Sequence, residues 1–162
     1  MSFTKTSAGF TRMQKILHWA VVVLLALQFF VFDGMGRGFH DLMDTGVAPY
    51  TVTSVAHIVI GVFVLALALW RLVLRIQVGV PAAPEAEPDL GRKASGLAHL
   101  AIYALLFLLP VTGLVAWFGA VGFAAQVHEI LTTALSWIVI LHVSAVAVHQ
   151  FYWKTNLLSR MH

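Results

Sequence analysis

Four long apolar stretches divide the sequence, and most charged residues lie in the segments between them. The stretches run near residues 14–32, 50–74, 97–118 and 128–153. Each is long enough for a helix to cross the hydrocarbon core of a bilayer, which takes roughly 17–25 residues. A short Gly-rich loop near Gly119–Val127 separates the last two, and a proline-rich acidic linker precedes the third. We therefore expect one all-α domain over residues 1–162, an integral membrane four-helix bundle.

The composition agrees with a chain that faces lipid. Of its 162 residues, 60% are hydrophobic and 10% are charged, whereas a soluble domain is about 25% charged. Because cysteine is absent, the sequence excludes disulfides and thiolate metal or iron–sulfur sites, so redox chemistry would need an added cofactor. The first stretch lacks a small-residue cleavage pattern and is followed by three more, unlike a signal peptide. The pattern shows no nucleic-acid patch.

The distribution of lysine and arginine predicts the orientation of the bundle. Nine of the ten cations lie in the amino-terminal segment, the second connection and the tail. The opposite side has only Arg37, together with Asp33, Asp41, Asp44 and Glu129. Since cytoplasmic segments carry the excess of Lys and Arg, we expect both termini to be cytoplasmic.

Histidines within the spans fall at two depths. His57 in the second span and His128 in the fourth lie toward the outer face, whereas His18 and His142 lie toward the cytoplasm. His128 and His142 are nearly four helical turns apart, about 21 Å, and therefore share one helix face. The pattern predicts two cross-helix pairs, His57 with His128 and His18 with His142.

Facing neutral imidazoles in a helix bundle are the ligands that bis-histidine haem ligation requires. One nitrogen of each ring binds iron, and the other keeps a proton for a nearby acceptor. We therefore predict two b-type haems per chain, with four axial ligands to the haem iron: His18, His57, His128 and His142.

Other polar residues near the cytoplasmic pair of histidines have more than one possible role. His149 keeps the face of His142 and could contact a haem propionate or a quinone headgroup, or simply face the interface. Arg71 and Arg75, at the inner end of the second span, are candidate propionate partners or markers of topology. His99 lies where the third span is predicted to begin, which favours an interfacial position.

The sequence is also compatible with three other roles for the histidines. A zinc site needs three or four ligands at one depth, which the inner level could offer. A proton channel would want intramembrane Asp or Glu, and the only such residue in the spans is Glu129, at the outer end of the fourth. In a scaffold or channel without redox activity, the histidines would only hydrogen-bond neighbouring helices.

The sequence resembles the bacterial cytochrome b561 family, small four-helix di-haem membrane proteins that include the superoxide oxidase. The resemblance covers nearly the whole chain and rests on four segments in order. They are ILHWAVVV, AHIVIGVFVLALALWRLVLR, GLAHLAIYALLFLLPVTGL and HEILTTALSWIVILHVSAVAVHQFYWKTNLLSRM. It implies a protein of the bacterial inner membrane with two b haems, ligated at the positions matching His18, His57, His128 and His142.

The resemblance also implies electron exchange with a membrane quinone, ubiquinone, on the inner side. In superoxide-oxidising members, superoxide gives an electron at the periplasmic side. Here the connection near Gly119–Val127 is short and the outer face is not basic, so it offers little steering to an anion. We therefore consider two alternative functions. One is a superoxide:quinone oxidoreductase, and the other is a membrane electron carrier for a periplasmic redox partner.

Overall fold

The computed structural model describes residues 5–6, 9–81 and 89–152, which are predominantly helical. The helices are α1 (Arg12–Phe30), α2 (Met35–Thr45), α3 (Val52–Gln77), α4 (Asp89–Gly119) and α5 (Gly122–Phe151). Two short strands, β1 (Lys5–Thr6) and β2 (Val80–Pro81), pair in parallel. Helices α1, α3, α4 and α5 are long and apolar enough to cross a membrane, which confirms the predicted all-α membrane bundle. Most of the acidic linker, Lys154 and Arg160 lie outside the described residues.

The spanning helices alternate in direction. At one end, the Gln14 side chain at the start of α1 donates from Nε2 to the carbonyl of Gly79, just beyond α3, at 3.0 Å. At the other end, His57 at the start of α3 contacts the carbonyl of Phe32, just beyond α1. We call the first the terminal end, because α1 begins there and α5 ends there. The second, where α2 lies, is the α2 end.

Capping boxes fix where α1 and α3 begin. Thr11 accepts from the backbone N–H of Gln14, whose side chain accepts from the Thr11 backbone in return. Thr51 and Ser54 make the same reciprocal pair at the start of α3. Each box satisfies N–H groups that a helix leaves unpaired in its first turn. Gln14 and Ser54 are themselves buried, and Gln14 also joins the start of α1 to the residue Gly79 beyond α3.

Two clusters of buried side chains hold the bundle together. The first lies between α1, α3 and α4 and contains Val21, Val64, Ala68 and Leu106. The second joins α4 to α5 through Leu105, Leu109 and Leu135. Many other large apolar side chains point outward, as expected where lipid replaces water. Because lipid tails are as apolar as leucine, close packing between helices rather than burial from water stabilises such a bundle.

The observed helices differ from the predicted spans in three places. Helix α4 begins at Asp89 rather than near residue 97, because its first turns are polar and hydropathy did not extend the span into them. Helix α5 begins at Gly122 rather than near residue 128, so the expected loop reduces to Ala120 and Val121. Ala120 has a positive φ of 49°, which allows this tight reversal. Helix α2 lies in the connection between the first two predicted spans, where no helix was predicted.

Leu135→Ala should destabilise the bundle more than a substitution on the lipid side. Leu135 is 1% exposed, so its truncation leaves a cavity between α4 and α5 and should cost about 2 kcal/mol or more. Leu141, on the same helix, is 66% exposed and provides the matched control. Thermal unfolding in detergent should show a clear loss for Leu135→Ala and little change for Leu141→Ala. Equal losses would contradict this account of the packing.

Candidate functional site

At the α2 end, two histidines from different helices face each other. His57 is in the second turn of α3 and His128 is in the second turn of α5. Their ring centroids are 6.3 Å apart, with the ring planes inclined by 64°. Both side chains are partly buried. The structure therefore brings together the outer pair that the sequence predicted.

Main-chain carbonyls orient both rings of this pair. His57 Nδ1 lies 3.1 Å from the carbonyl oxygen of Phe32, and His128 Nδ1 lies 2.9 Å from that of Leu109. A carbonyl can only accept, so each Nδ1 carries the proton and donates it. The lone pair of each neutral ring is then on Nε2, the state in which histidine binds a metal.

Gly113 allows the His128 ring to lie against the backbone of α4. A Cβ atom at this position would be 3.0 Å from His128 Cε1 and 3.2 Å from its Nδ1. Such contacts are tighter than real side chains normally make, so a larger residue would displace the ring. Leu109, whose carbonyl accepts from this ring, lies one turn earlier on the same face of α4. The glycine and the carbonyl together define the position of His128.

Gln28 is a polar residue of this site that the sequence reasoning missed. Its Nε2 donates to the backbone carbonyl of His57 at 2.9 Å, which ties α1 to α3 at the level of the histidine pair. Its Oε1 is buried and has no hydrogen-bond donor among the described residues. The sequence feature that could have identified it is a lone glutamine within an apolar span, because an amide in a membrane needs hydrogen-bond partners.

Toward the terminal end, three histidines form a second cluster. The rings of His99 and His142 are 5.4 Å apart and nearly perpendicular, at 86°. His18 lies within the electrostatic influence of Arg71, His142 and His99. The predicted partners His18 and His142 are thus in one cluster, but the direct ring contact of His142 is with His99. Helix α4 begins at Asp89, ten residues before His99, so His99 does not lie at the start of the helix as the sequence suggested. Its interfacial position stays a prediction.

The predicted arginines also belong to this second cluster. Arg71 and Arg75 both act electrostatically on His99. The Arg75 guanidinium lies over the ring of Tyr103, 5.9 Å from its centroid. Arg71 Nη1 is buried and finds no acceptor among the described residues. An arginine buried in a bundle without an acceptor is costly, so this atom is suited to an anionic group such as a carboxylate.

His149 lies two turns after His142 on α5 and is 7% exposed. It is therefore buried rather than solvated at the membrane surface. The structure places it toward the terminal end of the bundle, on the side where the second cluster lies. Its role as a contact for quinone or propionate remains a prediction.

The donor set fits haem better than a single metal ion. Two trans imidazoles on one iron have ring centroids roughly 6 Å apart, about 2 Å for each metal–nitrogen bond plus part of each ring. The 6.3 Å between His57 and His128 matches this separation. In the described part of the chain, no three His, Asp or Glu side chains are grouped closely enough to hold one metal ion. The geometry thus disfavours the zinc alternative.

Comparison with known proteins supports this chemistry. The family model described as prokaryotic cytochrome b561 matches residues 9–162. The protein named cytochrome b562 of Cereibacter sphaeroides is 34% identical over 153 residues, covering 94% of each chain. Cytochrome b561 homolog 1 of Escherichia coli K12 is 24% identical over 173 residues, covering 94% of this chain and 96% of its own. The chain therefore belongs to the prokaryotic cytochrome b561 family, multi-pass bacterial membrane proteins that transfer electrons by b-type haem.

Proposed function

We propose that this protein binds two b-type haems, one at each end of the bundle, and passes electrons between the outer face and a membrane quinone. In this proposal the terminal end is cytoplasmic, the α2 end faces outward, and the membrane is the bacterial inner membrane. The lysine and arginine distribution supports this orientation. The observation that carries the proposal is the His57–His128 pair, with its 6.3 Å ring separation and the contacts of both Nδ1 atoms with main-chain carbonyls.

At the α2 end, His57 and His128 would be the axial ligands. Each ring already donates its Nδ1 proton to a backbone carbonyl, which holds it in the tautomer that a metal requires. Gln28 restrains the backbone of His57, and Gly113 leaves space for the His128 ring. These contacts come from α1, α3, α4 and α5, so they would hold both histidines in place for the haem.

At the terminal end, His18 and His142 would be the axial ligands of the second haem. Their electrostatic coupling and their common proximity to Arg71 support this assignment. Arg71 and Arg75 would then bind haem propionates, for which the buried Nη1 of Arg71 is a suitable donor. His99, against the ring of His142, would pack beside the ligand and restrict its rotation.

When bound, haem would supply the reversible one-electron chemistry of iron, and the protein would supply ligands, charge and exclusion of water. His128 and His142 lie about 21 Å apart along α5, so the two ligand levels span much of the hydrocarbon core. The apolar side chains of Leu105, Leu109 and Leu135 pack between α4 and α5 and keep water from this region. One helix therefore holds a ligand for each haem in fixed register.

For the quinone, ubiquinone or a related molecule, we propose a site near His149. This histidine is buried near the terminal end of α5, where a headgroup could reach the second haem from the cytoplasmic half of the bilayer. An imidazole can donate a hydrogen bond to a quinone carbonyl and can accept a proton from a quinol. Proton uptake at this side would accompany reduction of the quinone.

For the electron donor, superoxide is one candidate, which would make the protein a superoxide:quinone oxidoreductase. The alternative is an electron carrier for a periplasmic redox protein, and the surface of α2 favours it. His40 Nδ1 and Asp44 Oδ2 lie 2.8 Å apart there in an exposed contact, and Asp41 is on the same short helix. An acidic outer surface would attract a basic protein and would repel a small anion.

The purified protein should contain two haems per chain, measured as a pyridine haemochrome against protein concentration. His57→Ala should leave one haem, because it removes a ligand at the α2 end only and the two ligand levels are far apart. His40→Ala changes an exposed histidine of α2 and should leave both haems in place. One haem per wild-type chain, or loss of both haems from a folded His57→Ala protein, would contradict two independent sites.

His149→Ala should slow electron transfer to a ubiquinone analogue at least tenfold while both haems stay bound, since the buried imidazole is the proposed contact of the headgroup. The reoxidation of pre-reduced protein by the quinone gives the rate directly in a stopped-flow experiment. Glu129→Ala, an exposed substitution on the same helix near the α2 end, is the control. Wild-type reoxidation by quinone in His149→Ala would remove this residue from the proposed site.

Superoxide should reduce the haems only slowly if the carrier function is correct, because the α2 surface offers an anion little attraction. Rapid mixing of oxidised protein with superoxide, followed in the Soret band, tests this. The double substitution Asp41→Lys and Asp44→Lys should then accelerate the reaction and make it sensitive to salt. Fast reduction of the wild-type protein, far above that of free haem, would instead establish the oxidoreductase function.

A further inference from the structure

Trp117 has a buried hydrogen-bond donor that the bundle does not satisfy. The side chain is 4% exposed, and its indole Nε1 finds no acceptor among the described residues. Indole N–H can donate but cannot accept, so the missing partner must be an acceptor. Leaving a buried donor unpaired costs much of the free energy of its desolvation, which makes a bound acceptor the expected complement.

The position of Trp117 relates this donor to the His57–His128 pair. Trp117 follows Gly113 by one turn of α4, so it lies on the face that contacts the His128 ring, about 6 Å closer to the α2 end. On its other side, a Cβ atom at Gly38 of α2 would lie 3.5 Å from Trp117 Cη2. The ring of Tyr50 meets Trp117 edge to face, with centroids 6.2 Å apart. Trp117 therefore lies about one helical turn beyond the level of the histidine pair and close to α2.

The contact with Gly38 also indicates which part of the indole faces away from α2. Atoms Cη2 and Cζ3, on the benzene edge of the indole, approach Gly38. The pyrrole nitrogen is in the other ring, away from that edge. The buried N–H thus belongs to the part of the side chain farther from Gly38.

The two ends of the bundle differ in the donors that they offer to an anion. At the terminal end, Arg71 has a buried guanidinium nitrogen that finds no acceptor among the described residues. At the α2 end, the arginine in the first connection, Arg37, is exposed on α2. Trp117 supplies a buried neutral N–H at this end, and it likewise finds no acceptor in the described part of the chain. The carboxylates of a haem belong at the ends of a bundle rather than at mid-membrane, because charge in hydrocarbon is costly.

We propose that the Trp117 indole N–H binds a propionate carboxylate of the haem held by His57 and His128. This inference rests on the haem site proposed above and adds to it a binding residue at the α2 end. At the terminal end, the guanidinium of Arg71 would bind a propionate instead. The negative charge of the propionate would then be balanced by a cation at one haem and only by a neutral N–H at the other.

Trp117→Phe tests the proposal, because phenylalanine keeps an aromatic ring against Tyr50 and removes the N–H. Stepwise addition of haem to the apoprotein in detergent, followed in the Soret band, gives the affinities of the two sites. The substitution should weaken the α2-end site by roughly 10- to 100-fold, as expected for one lost hydrogen bond to a charged group. In a His57→Ala background, which retains only the other haem, Trp117→Phe should change nothing.

Trp137→Phe is the matched control, since Trp137 is 63% exposed on α5. A second arm uses haem dimethyl ester, whose propionates are uncharged. With this ligand the difference between wild-type protein and Trp117→Phe should shrink, because a neutral acceptor makes a weaker bond. Wild-type protein should itself bind the ester more weakly than haem at the α2 end, a result that does not depend on how well the variant folds.

Equal affinity of Trp117→Phe and wild-type protein for haem at the α2 end would overturn the inference. An equal loss for haem and for its ester would also overturn it, because the effect would then come from packing rather than from the carboxylate. Failure of the proposed function gives a different result: the wild-type apoprotein would then take up only one haem, or none, before any change at Trp117.

Discussion

The donation of a ring proton to a main-chain carbonyl is the interaction on which the α2-end site depends. An imidazole free to rotate within an apolar span could present either nitrogen to its neighbours. His57 and His128 cannot, because the carbonyls of Phe32 and Leu109 hold both Nδ1 protons. The lone pair of each neutral ring is then on Nε2. The backbone thus sets both the orientation and the protonation of the two imidazoles, and no acidic residue needs to enter the membrane.

These two carbonyls are available for different reasons. Phe32 lies beyond the last turn of α1, where carbonyl groups have no partner within the helix. Leu109 lies inside α4, and its carbonyl is reachable because Gly113, one turn later, has no side chain to keep the ring away. The site therefore requires α1 to end at a fixed level and α4 to carry a glycine at a fixed position. The capping box fixes where α1 begins, and the tight reversal at Ala120 fixes how α5 follows α4.

The sequence predicted the spans and the histidine levels because both follow from regular periods. Apolar runs near the length of a bilayer, and a spacing of 14 residues on one helix, need no tertiary information. What it missed depends on contacts between helices. His99 was placed at the start of a helix because the polar first turns of α4 hid the true start. Gln28 and Trp117 are single polar groups in apolar runs, and only the packed bundle shows that Gln28 Oε1 and Trp117 Nε1 are buried without partners among the described residues.

The unequal charge at the two ends has a consequence for the direction of electron flow. A cation beside a haem stabilises its reduced, less positive form, whereas a neutral donor does so less. With Arg71 and Arg75 near one haem and Trp117 near the other, the haem at the terminal end would have the higher reduction potential. Electrons would then move favourably from the α2 end to the terminal end, toward the proposed quinone site at His149. Because both arginines lie on α3, which also carries His57, one helix would supply a ligand to the first haem and the charge that attracts electrons to the second.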